Sequence, residues 1–421
     1  MQRLNPRQPT RRLKHSLPAA LIAAASGTAW AADEPSPYYI GVTQSITHDS
    51  NVYRLSNGPS DNYGSTGLVG GFDQPFGRQR FYAAANLRDN YYAREKTLNN
   101  VSYGISAGWD WATIEKLSGG ITVDAGRSLA SYDNNSLAQP STARNIVNTQ
   151  QFGARVRWGG DSLLNLDGGY SHSHVSYSET PTSESTQDSV SVGASYRVGP
   201  TLRLGTAVRL SRSVAPNGVQ TAPGVFSDNT TDGRNLDLTA DWRYSAQTGA
   251  NGRLSWTRQT NSGSGDRDFS GLTGGLSATY APTAKLSFNT ALSRDAGSNA
   301  SFFNLANANA GQPARGLNQN SQTTDSLALG ANYAATAKIG VTAGLDYRHS
   351  KVVDQIVVGA AVVGNDHTDR SHSASLGANY AIARNWSLAC NLAYVSRDVG
   401  GALPYSYTAN TATCTAQFTL R

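Results

Sequence analysis

Arginines and aspartates recur at alternate positions along apolar runs, and that spacing limits the chemistry open to this 421-residue chain. Arg88, Arg155, Arg157, Arg197, Arg203, Arg209, Arg243, Arg253, Lys285, Arg348 and Arg397 share one parity with Asp110, Asp124, Asp167, Asp237, Asp241 and Asp346. The neighbouring Leu, Val, Trp and Tyr positions hold the other. A guanidinium offers paired N–H donors that fit carboxylate and phosphate, so a wall carrying more guanidinium than carboxylate favours anionic solutes. Uronate- or phosphate-bearing sugars belong to that class. The same side chains can instead neutralise one another across strands and merely hydrate a wall. The sequence leaves both readings open.

Other candidate chemistry is thinner. His172 and His174 form an H-x-H pair on one face, but no third ligand sits at a useful spacing, so no metal site is assigned. No G-x-S-x-G elbow or other nucleophile signature occurs, and nothing points to a cofactor, so the expectation is a non-enzyme. Cys390 and Cys414 are the only cysteines, and their positions are symmetric about Ala402. An antiparallel hairpin in that register sets them opposite each other. Opposed Cβ atoms lie about 4.5–5.5 Å apart against about 3.5–4.5 Å in a disulfide, so a small adjustment would close the bond. A slip of one residue would leave two small side chains facing lipid at different heights.

The elements that must position these residues are hairpins. In residues 371–397, Ala374, Leu376, Ala378 and Tyr380 share one face, with Ser373, Ser375, Gly377 and Asn379 opposite. After a short turn, Trp386, Leu388, Cys390, Leu392 and Tyr394 share a face again. The same unit recurs at 191–212, 236–258, 274–294 and 327–348. Turns short at one end and long and polar at the other predict an all-β fold, a transmembrane antiparallel up-and-down β-barrel. Additional strands near 38–47, 64–73, 81–93, 101–112, 119–129, 150–158, 163–173 and 410–420 bring the count to eighteen, with sixteen as the lower bound. An even count puts both chain ends on the short-turn, periplasmic side.

A charge facing lipid at mid-membrane costs about 2–4 kcal/mol, so the arginine parity must face the lumen. The opposite parity carries Trp109, Trp111, Trp158, Tyr196, Tyr244, Tyr280, Tyr333, Tyr380 and Trp386 close to the turns. An interfacial aromatic girdle explains these better than sugar stacking does, and leaves any stacking to lumenal or loop aromatics such as Tyr82 and Tyr92. Residues 352–364 (VVDQIVVGAAVVG) break the alternation where a loop is expected. They either fold inward or bind a partner, or extend strands fifteen and sixteen above the membrane.

Residues 1–31 carry five basic residues and no acid, then an apolar run and Ala29-Trp30-Ala31. That pattern predicts a secretory signal peptide cleaved after Ala31, with the barrel over 32–421. The whole-chain charge of +6 therefore misleads, because 30 basic residues face 29 acidic ones once that segment is gone. Nucleic-acid binding is excluded as a function. No run of about 18 apolar residues follows, so no transmembrane helix is expected. The expected partners are outer-membrane lipid and the barrel-assembly machinery, although the end Phe418-Thr419-Leu420-Arg421 lacks the usual terminal aromatic.

Asp49-Ser50-Asn51-Val52-Tyr53-Arg54-Leu55, just after the first strand, resembles the D-x-N-V-[FY]-R-L opening of outer-membrane barrels encoded with exopolysaccharide biosynthesis operons. The resemblance implies a role in exporting or assembling a secreted polysaccharide, with periplasmic export machinery as partner. From the residues alone the motif reads as a turn made by Asn51, with Val52 and Leu55 packed against the rim. A porin for small anionic solutes is the alternative function, and a structural or adhesin-type barrel the third.

Overall fold

The computed structural model describes residues 36–421, apart from 133–141, 161, 181–182, 223–224, 263–267, 305–314, 359–360, 365 and 401–405. The signal-peptide segment lies outside the described residues.

Alternation becomes ladder throughout. The first strands are β1 (Tyr38–Asp49), β2 (Asp61–Phe76), β3 (Gln79–Tyr92), β4 (Asn100–Ala112), β5 (Leu117–Leu129) and β6 (Ile146–Trp158). Then follow β7 (Leu164–Tyr177), β8 (Ser185–Arg197), β9 (Leu202–Ala222), β10 (Val225–Arg243), β11 (Thr248–Asn261) and β12 (Phe269–Tyr280). The last are β13 (Leu286–Asn304), β14 (Arg315–Ala334), β15 (Ile339–Val358), β16 (Ala361–Gly364), β17 (His367–Ala383), β18 (Trp386–Gly400) and β19 (Tyr407–Leu420). Apart from the short β16, each strand pairs antiparallel with the strands before and after it, and β19 returns to β1 in a ladder from Ile40 opposite Leu420 to Asp49 opposite Thr411. Closure satisfies every strand edge, which a sheet in hydrocarbon requires. The short β16 continues β17 in the same register against β15, so the closed wall has eighteen strands.

The outward face is apolar and exposed. On β1 it presents Ile40 and Val42, on β10 Leu236 and Leu238, and on β18 Leu388 and Leu392. The aromatics next to the short turns, among them Trp158, Tyr196, Tyr244, Tyr280, Tyr333, Tyr380 and Trp386, all lie exposed on this face. A second set (Tyr103, Tyr170, Trp256, Tyr347 and Tyr394) lies on the same face nearer the loop end. At about 3.3 Å per residue and a tilt of about 40°, the rise from Trp386 to Tyr394 is about 20 Å. Two aromatic belts bounding an apolar band of that height fit a bilayer. No described helix is long and apolar enough to cross a membrane.

Some boundaries move. Between β2 and β3 the turn is only Gly77 and Arg78, with Pro75 opposite Arg80 in the ladder and Gly77 at φ +61°. Beyond the alternating stretches, residues 214–222, 225–230, 298–304, 315–322, 352–358 and 361–364 are largely paired strand as well. Ala222 lies opposite Val225, Asn304 opposite Arg315 and Val358 opposite Ala361. Beyond the lipid-facing stretch the backbone groups still gain by pairing. Residues 352–358 and 361–364 thus extend a hairpin rather than enter the lumen.

Candidate functional site

The motif Asp49 to Leu55 builds a cap at the loop end of β1. Asp49 faces the lumen, and its Oδ1 accepts from the Asn51 backbone N–H at 2.9 Å and from Arg54 at 2.8 Å. Asn51, 4% exposed, spends its whole amide on the chain. Its Nδ2 donates to the Leu55 carbonyl at 2.6 Å and the Thr408 carbonyl at 3.0 Å, and its Oδ1 accepts from the Leu55 N–H at 3.0 Å. Gly58 packs so closely on that amide that a Cβ would sit 1.9 Å from Oδ1. Arg54 has φ +54°, alone in that region among the described non-glycine residues. Its guanidinium, bonded to Asp49 and to the Asn51 carbonyl, holds the strained conformation.

Val52 and Tyr53 point into a small core with Leu98 and Tyr132, against which Leu55, Tyr92 and Leu129 pack. Tyr53 meets Tyr132 edge to face at 5.2 Å, and its hydroxyl donates to Glu95 at 2.8 Å. Burial and then the Glu95 carboxylate push the Tyr53 phenol up to about 12. Burial also raises Tyr132 to about 12. Asp61, 2% exposed, ties the next loop down by accepting the N–H groups of Asn62, Arg94 and Glu95. Beneath the cap a cavity of about 270 Å³ opens over the inner wall, lined by Arg54, Tyr63, Asn90, Tyr92 and Asn100 among others. Tyr63 and Tyr92 stack there at 4.7 Å. Of Tyr82 and Tyr92, the lumenal or loop aromatics expected to be available for stacking, Tyr92 belongs to the cap. Tyr82 lies on the wall over Gly108, with Arg80 5.3 Å above its ring.

The inward arginines divide by partner. Arg155 bonds Asp110 at 3.1 Å, Arg157 bonds Asp167 at 2.5 Å, Arg209 bonds Asp237 at 3.2 Å and Arg397 bonds Asp369 at 2.6 Å. Arg88, Arg197, Arg243, Arg253 and Arg348 share the inward parity and make no ion pair among the described residues. Arg203 lies directly opposite Arg197, next to the short turn that joins β8 to β9. With the Asn165 amide turned so that its oxygen faces β9, it accepts from Arg203 at 3.0 Å. Asp241 is opposite Arg203 on the other side without an ion pair. This end of the lumen thus holds a cationic cluster of Arg157, Arg197, Arg203 and Arg243, with Asp167 and Asp241 as its acids.

The remaining candidates lie outside the lumen. Cys390 and Cys414 are directly opposite in the β18–β19 ladder, with Cα atoms 4.1 Å apart, and form a disulfide on the outward face. His172 Nδ1 lies 2.9 Å from the Asp188 carboxylate, and His174 Nδ1 2.9 Å from the Thr186 hydroxyl. No group of three metal-ligating side chains occurs among the described residues.

Sequence reasoning missed the cap's other half. Asp61 opens β2, Glu95 and Leu98 lie between β3 and β4, and Tyr132 lies between β5 and β6, so no periodicity joins them. The partner Asp369 was missed because it lies beyond the alternating core of β17.

No protein-family model matches the chain, and no curated protein matches it by sequence. Among solved structures, the siderophore receptor PirA from Acinetobacter baumannii superposes with a TM-score of 0.44 at 7% identity, covering 91% of this chain and 81% of that one. The ferric enterobactin receptor mutant R480A from Pseudomonas aeruginosa gives 0.44 at 8% identity over 91% and 82%. The FrpB iron transporter from Neisseria meningitidis gives 0.44 at 9% over 90% and 82%.

Proposed function

We propose that the chain is a bacterial outer-membrane channel for anionic solutes, and that its cargo is an acidic exopolysaccharide. The observation that carries the first half is Arg197 standing directly opposite Arg203 on the lumenal face, with no carboxylate bonded to either. Like charges directly opposite destabilise a ladder. Such a pair is tolerable where water screens it or a passing anion supplies a counter-charge. It lies at the short-turn end, the periplasmic mouth in bacterial barrels, where an exported polymer would enter.

The second half rests on the resemblance of Asp49–Leu55 to the opening of exopolysaccharide-operon barrels. It gains support from how completely that motif is used: an aspartate, an amide and a strained arginine lock one another at the opposite mouth. A small-solute anion porin would share the wall and would not need the polymer.

The test is conductance of the refolded chain in planar bilayers under a salt gradient, with polygalacturonate or neutral dextran added to each side in turn. The expected result is anion preference, with block by the polyuronate from the short-turn side and none by dextran. Cation preference would overturn the channel reading, and anion preference without polyuronate block would leave the porin.

A further inference from the structure

A second pair of directly opposed arginines, neither bonded to a carboxylate, stands at the other end of the barrel and on its other face. Arg234 on β10 lies directly opposite Arg258 on β11, and both side chains are exposed. Parity fixes their direction, because the next outward pair towards mid-wall is Leu236 opposite Trp256, 52% and 58% exposed. The two arginines therefore sit just above the upper aromatic belt, where hydrocarbon gives way to headgroups.

Neither guanidinium makes an ion pair or hydrogen bond among the described residues. Their flanking partners in the ladders, Leu210 beside Arg234 and Ser270 beside Arg258, bring no carboxylate. The acid nearest along β10, Asp232, is already held by Arg212 through bonds of 2.8 and 3.2 Å. Opposed residues on one face have Cβ atoms about 5 Å apart, a spacing at which two guanidiniums can bracket one phosphate. Two like charges so placed are unfavourable without an anion, and a phosphate at that depth offers one.

We infer that Arg234 and Arg258 form a binding site for the phosphate of the phosphorylated glycolipid of the outer leaflet, with Trp256 and Leu236 against its acyl chains. The position at the loop end selects the outer leaflet. The inference rests on the outer-membrane reading above and is tested apart from it.

The refolded chain in neutral detergent is titrated with diphosphoryl lipid A, lipid A stripped of both phosphates, and phosphatidylglycerol, and bound lipid is counted by native mass spectrometry. Expected is at least a tenfold preference for diphosphoryl over dephosphorylated lipid A. R234Q/R258Q should abolish that preference and R155Q, on the lumenal face, should keep it. Equal binding of the dephosphorylated lipid by the unaltered chain, or an undiminished preference in R234Q/R258Q, overturns the site. Equal binding of phosphatidylglycerol overturns its assignment to the glycolipid. Heat-modifiable migration and liposome insertion report the barrel itself, so a chain that fails to insert sinks the membrane reading instead.

Discussion

The two mouths of the lumen treat the same residue type in opposite ways. At the loop end, Arg54 is bound to Asp49 and to its own loop, in a cap whose polar groups are largely satisfied. At the short-turn end, Arg197 and Arg203 face each other with no carboxylate bonded to either. A paired guanidinium holds shape, and its field is largely cancelled a few ångströms away. An unpaired one keeps its field, which acts on whatever passes. The contrast teaches that an arginine count cannot assign a lumen's selectivity. The partner decides it.

The sharpest way to break this contrast is to reverse the unpaired charges. Arg197→Glu with Arg203→Glu should change the sign of the reversal potential and lower the anion-to-cation permeability ratio about tenfold. An unchanged reversal potential would mean that these side chains line no conducting path.

The cap should respond in stability rather than selectivity. Asn51→Ala removes three hydrogen bonds of a buried amide, and at about 1 kcal/mol each the loop should lose about 3 kcal/mol of local stability. Hydrogen exchange at residues 51–58 should accelerate, and undiminished protection would show that the motif does not anchor the cap.

The Thr408 carbonyl that Asn51 grips lies on β19, which the disulfide joins to β18. The bridge closes a separation of 24 residues, so C390S/C414S should cost about 3 kcal/mol in urea unfolding and leave selectivity alone. Two free thiols in the denatured, unreduced protein would rule the bond out.

Alkali separates the cap from the wall without mutation. Tyr53 and Tyr132 ionise near 12 in the folded cap against about 10 in an open chain, so their contribution is complete below pH 10 and lost as the pH rises to 12. Proteolysis of the cap loops should rise across that window, and in a Y53F/Y132F chain it should not. Flat proteolysis in the unaltered chain would remove the phenols from the cap's stability.

The smallest effect is expected for arginines already paired. Arg155→Gln and Arg157→Gln each free an aspartate at an exposed ion pair worth at most about 1 kcal/mol. Each should shift the permeability ratio less than the Arg197 and Arg203 reversal does. A shift as large would erase the distinction between paired and unpaired charge.

The sequence by itself determined the wall. Side chains alternate strictly along a strand, so lipid on one side and water on the other write a period-two pattern that needs no partner to be read. The eighteen strands, the outward aromatics beside the turns and the lumenal side of every arginine in the candidate set follow from it. The register of the last hairpin was legible too, since the symmetry of Cys390 and Cys414 about their loop is a local property. What only the tertiary structure decided is which charges meet. Arg157 finds Asp167 and Arg197 finds Arg203 because of strand registers that parity does not contain. The cap was hidden for a stronger reason: Val52, Leu98 and Tyr132 come from loops of different hairpins, and only the pairing of β2 with β3 and of β4 with β5 sets those loops side by side.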